Sequence, residues 1–394
     1  MKIRFFITIV LAGVFGLTTF AQNGTWTQKA NVSSTIRIAA AGFSIGNKGY
    51  IGVGYNNPTN TVLNDFWEYD PTTDSWTQKA DFGGNARGWG VGFSIGTKGY
   101  IGMGFDLSNE LVDFWEWDQT TNVWTQKANF IGVPSPEPIG FSIGAKGYIV
   151  DRNFYFYEYD TTLDNWTWKG NYVGQGSKAQ ASFSIGLKGY VGLGTDVSNI
   201  PYYDFFEYDQ ALDTWTQMAN YPGIGGIADV GFSIGNKGYV GTGSTNPATN
   251  ACKDFWQFDP ATNTWIQTTN FGGTSRFIAV GFSIGSKGYL GTGWHTGDLN
   301  DFWEFDPTGV GMEEVINSIG ISVFPNPSNG IFTLNSKITS GEISIANLLG
   351  EKIYESQIQI PNSEINLTDK PNGIYFITIK TEKESFTQKI IINK

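Results

Sequence analysis

The sequence has almost none of the residues from which most metal and redox sites are made. Among 394 residues there is one histidine, His295, and one cysteine, Cys252. No site that needs two imidazoles, and no disulfide framework, can be built from that supply. Positive charge is also scarce: 25 lysines and arginines stand against 36 aspartates and glutamates, a net charge of −11. A nucleic-acid partner, which selects a basic face, is excluded on that ground. Long apolar runs are missing too. The stretch Phe5–Phe20 is too short, and too soon followed by polar Asn23, to read as a membrane span. With Lys2 and Arg4 ahead of it and Thr19-Phe20-Ala21 behind, it reads as a signal peptide over residues 1–21. The mature chain is then expected to start at Gln22, without a transmembrane segment.

What is plentiful is glycine (51) and aromatic side chains, 14 tryptophans, 18 tyrosines and 29 phenylalanines. This is the composition of short β-strands joined by tight turns, and the opposite of a disordered chain. The aromatics recur in register. The string FSIGxKGY ends at Tyr50, Tyr100, Tyr148, Tyr190, Tyr239 and Tyr289, with spacings of 50, 48, 42, 49 and 50. Tryptophans in TWTQKA-like segments, at 26, 76, 124, 166, 215 and 265, keep the same spacings. A third marker, DFWEYD and its variants, ends at Asp70, Asp118, Asp160, Asp209, Asp259 and Asp306.

Each unit reads as four strands: FSIG, GYIGVG, DFWEY and WTQKA. They are joined by turns such as Gly46-Asn47-Lys48-Gly49 and Asp70–Ser75. Four strands per unit of this length make one propeller blade. The chain opens on a fourth-strand segment at Trp26 and closes its sixth unit after a third strand, at Asp306. The phase therefore predicts an all-β, six-bladed β-propeller over residues 22–307, closed by the N-terminal strand.

The pattern resembles kelch repeats: an arginine before the first strand, glycines ending the second, an aromatic-Asp pair ending the third, and Trp six residues on. It departs from them in carrying Gly-x-Gly, as in Gly52/Gly54, where kelch repeats have adjacent glycines. The third unit has Val150-Asp151-Arg152 in that place.

Beyond Trp303 there is no tryptophan. Residues 308–319 read as a linker and residues 320–394 as a small β-sandwich with turns at Asn329-Gly330 and Asn372-Gly373. Pro325-Asn326-Pro327, the Asn347–Gly350 turn, Gly373-Ile374-Tyr375 and the Lys389–Lys394 strand resemble the type A C-terminal sorting domain of the type IX secretion system of Bacteroidetes. The resemblance implies contact with that machinery, passage through periplasm and outer membrane, and a secreted or surface-attached product.

Loops that vary on a rigid scaffold are the default binding face. Here these are the second-to-third and fourth-to-first connections. Arg37, Arg87 and Arg276 share one position, six residues before the FSIG phenylalanine, on units that are adjacent in a closed ring. In kelch proteins that position lies near the central channel. Two readings stand open: the arginines converge on an anionic ligand, or each pairs with a neighbouring carboxylate or carbonyl. Glu137, Lys178 and Asp229 are channel candidates on the other units, and Trp89 and Trp294, with Tyr55 and Phe105, are candidate stacking surfaces. The six lysines of the KGY turns read as solvated turn residues, and the Asp-x3-Asp/Asn pairs such as Asp70/Asp74 as turn caps. His295 reads as a loop residue and Cys252 as a small passive one. The copper site of galactose oxidase, a kelch propeller, needs two histidines and cannot exist here. The expected function is non-catalytic binding of a glycan or a protein by a monomer, with no cofactor or metal. The alternative is an enzyme acting on an acidic sugar, similar to N-acetylneuraminate epimerase, with Glu137 and Arg87 as the working pair.

Overall fold

The computed structural model describes residues 22–176, 181–196, 198, 200–245, 250–311, 322–326, 328–335, 340–347, 350–358, 362–381 and 385–394. The expected signal peptide (1–21) and Lys178 lie outside these residues. Every regular element among them is a β-strand. The chain divides into two compact units that meet in sequence between Gly311 and Met312.

The first unit is built from six four-stranded antiparallel sheets. After β1 (Gln22–Lys29) come β2 (Ala41–Ile45), β3 (Lys48–Asn56), β4 (Thr61–Asp70) and β5 (Ser75–Gln78), which form the first blade in that order. Four more blades repeat the pattern, with first strands at Val91–Ile95, Ile139–Ile143, Ala181–Ile185 and Val230–Ile234. The sixth has three strands of its own, Val280–Ile284, Lys287–Gly291 and Phe302–Gly311, and its outer strand is β1. Each first strand touches the first strand of the next blade, and that of blade six touches β2, so the contacts close a ring. The outer pairing puts Trp26 opposite Phe305 and Lys29 opposite Phe302. It continues to Gln22 opposite Gly311, so the expected 307/308 boundary falls inside a strand. After an irregularity opposite Gly24, Val310 and Gly311 pair again with Asn23 and Gln22, and the unit ends at Gly311.

The repeat FSIGxKGY records how blades meet. A Cβ on Gly49 would lie 2.3 Å from the Phe282 ring of blade six, and one on Gly99 would lie 2.2 Å from Phe43 of blade one. Only glycine in the second strand admits the neighbouring phenylalanine. The outer strands are latched in the same direction. Trp76 Nε1 donates to the Ala30 carbonyl (2.9 Å) and Trp124 Nε1 to that of Ala80 (3.1 Å). Asp74 and Asn122, each with φ near +50° in the tight turn before its Trp strand, accept from the N–H groups of Ala30 and Ala80. The Asp-x3-Asp/Asn pairs are thus turn residues that also bind the preceding blade. All six turn lysines pair with the aspartate that ends the third strand, from Lys48–Asp70 to Lys287–Asp306, rather than standing free.

The second unit stacks a three-stranded sheet (Ser322–Phe324, Ile331–Asn335, Asn362–Asn366) and a four-stranded one (Gly341–Asn347, Lys352–Ile358, Gly373–Lys380, Ser385–Ile392) over one core that includes Phe332, Leu334, Ile345, Ile377 and Ile390. The Asn326 amide binds the last strand in both directions, donating to the Lys389 carbonyl (2.8 Å) and accepting from the Ile391 N–H (2.9 Å). That ties the Pro-Asn-Pro motif to the terminal strand.

Candidate functional site

The centre of the ring is lined by the residues that lead into each first strand. Ala39, Trp89, Glu137, Ala228 and Ile278 are equivalent, four residues before the FSIG phenylalanine, and all have φ between +52° and +62°. Non-glycine residues avoid this region, at a cost of roughly 1–2 kcal/mol each. The reason they adopt it is a circlet of backbone hydrogen bonds between blades. Trp89 N donates to Ala39 O (2.9 Å), Glu137 N to Trp89 O (3.1 Å), Ala39 N to Ile278 O (3.3 Å) and Ile278 N to Ala228 O (3.3 Å). Ala39, Trp89 and Ile278 each pass the carbonyl to the next blade and the N–H to the previous one.

A cavity of about 130 Å3 opens over this circlet. Trp89, Glu137 and Asp229 line it, with small or apolar residues such as Ala39, Ala40, Ile139, Ile278 and Ala279. The Trp89 indole is half-buried and packs on Tyr55, ring centres 5.1 Å apart. Asp229 is buried (7 % exposed), and its carboxyl is pushed well above the usual range, first by burial and then by the charge of Asp254.

Three of the expected site residues are placed elsewhere. Arg37, Arg87 and Arg276 have no exposed surface. Each guanidinium makes a two-pronged pair inside its own blade: Arg37 with Asp65 (2.7 and 2.6 Å), Arg87 with Asp113 (2.7 and 2.7 Å), Arg276 with Asp301 (2.7 and 2.7 Å). Nη1 also donates to the carbonyl sixteen residues on, of Val53, Met103 and Thr292. This corrects the anion-site reading, because the donors that would grip a ligand carboxylate already hold an internal one. It equally removes Arg87 as a partner for Glu137. Burial works to raise the Asp65, Asp113 and Asp301 carboxyls, but the arginine hydrogen bonds and charge outweigh it and hold them low.

Trp294 is half-buried against Phe277 (5.2 Å), apart from the cavity lining, and His295 meets Ser275 through Nδ1 (3.2 Å). Sequence reasoning missed the apolar lining, Ala39, Ile278 and Ala279. Their signal was available: they share the repeat positions of Trp89 and Asp229.

Two family models match the chain. One is the Kelch motif, over residues 54–83, and the other the Secretion system C-terminal sorting domain, over residues 322–393. No curated protein sequence matches it. Among solved structures it is similar to one described as "Structure of YjhT", with a TM-score of 0.58 and 14% identity over 70% of this chain and 96% of that one. At that identity the likeness speaks for the fold. The chain is a kelch-type β-propeller followed by a type IX secretion C-terminal sorting domain.

Proposed function

We propose that the protein is an exported binding module that takes a neutral or amine-bearing glycan in the central cavity. The observation that carries this is the pairing of a half-buried indole, Trp89, with a carboxylate residue, Glu137, at equivalent positions of adjacent blades over one small cavity. Aromatic faces stack on the apolar C–H face of a sugar, and a carboxylate accepts from its hydroxyls. With the arginines engaged internally, the described lining carries the Glu137 carboxylate and no basic side chain, which disfavours a uronic or sialic acid. On a glycan array the mature chain is expected to retain neutral or amino sugars. Trp89→Ala should weaken that binding at least ~10-fold, the loss of one stacking contact of roughly 1.5 kcal/mol. Its melting temperature should stay close to that of the parent, since Trp89 caps the funnel rather than a blade core. Retention of acidic glycans only, or binding indifferent to Trp89→Ala, overturns the reading.

The sorting domain supports export through type IX secretion to the cell surface or the extracellular space. Removal of residues 320–394 is expected to leave the propeller in the periplasm. Fractionation and immunoblotting check this, and undiminished recovery from medium or cell surface would overturn it.

A further inference from the structure

The fifth blade keeps the acceptors of the arginine slot but not the arginine. In blades two and six the guanidinium lies over the ring of Phe82 or Phe271 (4.7 Å each), between the aspartate and the carbonyl described above. In blade five Gly226 replaces the arginine, Tyr221 replaces the phenylalanine, and Asp254 and the Thr242 carbonyl hold the places of the two acceptors. Asp254 is 5 % exposed. Its Oδ2 accepts from Ile224 N (2.8 Å) and Trp256 Nε1 (2.9 Å), while Oδ1 has no partner. Asp229 extends into the vacated space; the Gly226 backbone N–H bears on its carboxyl, and neither oxygen has a side-chain partner. Tyr221, 3 % exposed, has an unpartnered hydroxyl.

These groups face one another. A Cβ built on Gly223 would lie 2.4 Å from the Tyr221 hydroxyl and 2.5 Å from Asp254 Oδ2. At the equivalent Gly84 of blade two, the same construction meets Arg87 Nη2 and Asp113 Oδ2, both at 2.8 Å. The tyrosine hydroxyl thus stands on the guanidinium's side of the slot. A Cβ on Gly225 would lie 2.6 Å from Asp229 Oδ1 and 2.5 Å from the Thr242 carbonyl. Among the described residues, the one side-chain charge that acts on Asp229 is another carboxylate.

We propose that this slot is a cation site and takes a Ca2+ ion where blades one, two and six hold a guanidinium. Two carboxylates match a divalent charge, and an all-oxygen donor set selects a hard ion over zinc or copper. Among the described residues no three acidic, His or Cys side chains converge on one point. The shell is therefore completed by neutral oxygens, the Thr242 carbonyl and the Tyr221 hydroxyl. Calcium tolerates such irregular shells better than magnesium. An exported protein meets calcium at concentrations where sites with Kd on the order of 10⁻⁴–10⁻³ M fill.

The test is thermal unfolding of the mature chain, followed by tryptophan fluorescence, in EDTA and across a CaCl2 titration, with bound calcium counted by equilibrium dialysis. The expected result is a saturable rise in melting temperature with one ion bound per chain. Asp229→Asn should lose both the ion and the rise. The double variant Gly226→Arg/Asp229→Ala, which rebuilds the blade-two arrangement, should melt high and be indifferent to calcium. If Asp229→Asn fails to fold, the double variant and the parent's stoichiometry still decide. The proposal is overturned if the parent binds no calcium and melts alike in EDTA and CaCl2. It is equally overturned if Asp229→Asn or the double variant keeps the full calcium response, which would put the ion elsewhere.

Discussion

Arg87→Ala is expected to destabilise the propeller by about 3–5 kcal/mol, a fall in melting temperature on the order of 10 °C. The size follows from what is left behind. Removing a guanidinium that is wholly buried strands the Asp113 carboxylate, the Met103 carbonyl and the Asn85 carbonyl without their donor. A surface arginine of the kind expected for a ligand site would cost a few tenths of a kcal/mol. The pH dependence gives a second, independent sign. In the parent, Asp113 is held below its ordinary value, so the pair stabilises the fold above the unfolded carboxylate pKa of about 3.9 and that contribution is lost as pH falls through the folded value. In Arg87→Ala the same carboxyl has burial without its partner, its pKa rises, and lowering the pH through that raised value should stabilise the variant relative to its own state at neutral pH. Melting temperatures measured from neutral pH down to about 3 should therefore fall for the parent and rise first for the variant. Arg87→Ala/Asp113→Ala should recover much of the loss, since the penalty lies in the orphaned charge rather than in the absence of the pair. A variant that melts like the parent would show that the guanidinium is not a tie.

The ring was legible because its determinants are repeated and local. A phenylalanine that needs a glycine opposite it, and a tryptophan that needs a carbonyl, recur in every unit at fixed offsets. The arginine slots were not legible for the opposite reason. The partner aspartate lies across a loop of changing length, 28 residues on for Arg37, 26 for Arg87 and 25 for Arg276, so no constant spacing marks it. The aspartate also persists in units that lack the arginine, as Asp204 and Asp254, so co-occurrence gave no sign either. The circlet escaped for a further reason. Its positive φ angles fall on Ala39, Trp89, Glu137, Ala228 and Ile278, none of them a residue that announces a left-handed turn. Only closure of the ring supplies the hydrogen bonds that hold them there. Trp89 and Glu137 were found through their chemistry, and the fold then explained why both look into the same space.

Deleting β1 is expected to do more damage than any single substitution. The strand is the outer edge of blade six and the bond between both ends of the propeller. Trp26 packs against Phe255 and Phe271 of blade five and Phe305 of blade six, with ring centres 4.9–5.1 Å apart. Its Nε1 donates to the Thr269 carbonyl of blade five (3.3 Å). On the other side, Trp76 and Asp74 of blade one hold the carbonyl and the N–H of Ala30, just past the strand. Without residues 22–30, Phe302–Gly311 becomes an open edge, and blade one loses the latch that the Ala80, Ala128 and Ala219 carbonyls offer to Trp124, Trp166 and Trp265 of the following blades. Trp26→Ala alone should cost about 3 kcal/mol from lost burial. The deletion adds the unpaired backbone of an entire strand, and the six blades, no longer closed on one another, should come apart in stages. Calorimetry of the truncated chain should show a broad, low transition with a van't Hoff enthalpy well below the calorimetric one, and light scattering should show association through the exposed edge. A single sharp transition at the parent's temperature would mean that closure does not depend on β1. The six sheets would then have to be held by their inner strands alone, where Phe43 and its equivalents insert against the glycines of the next blade.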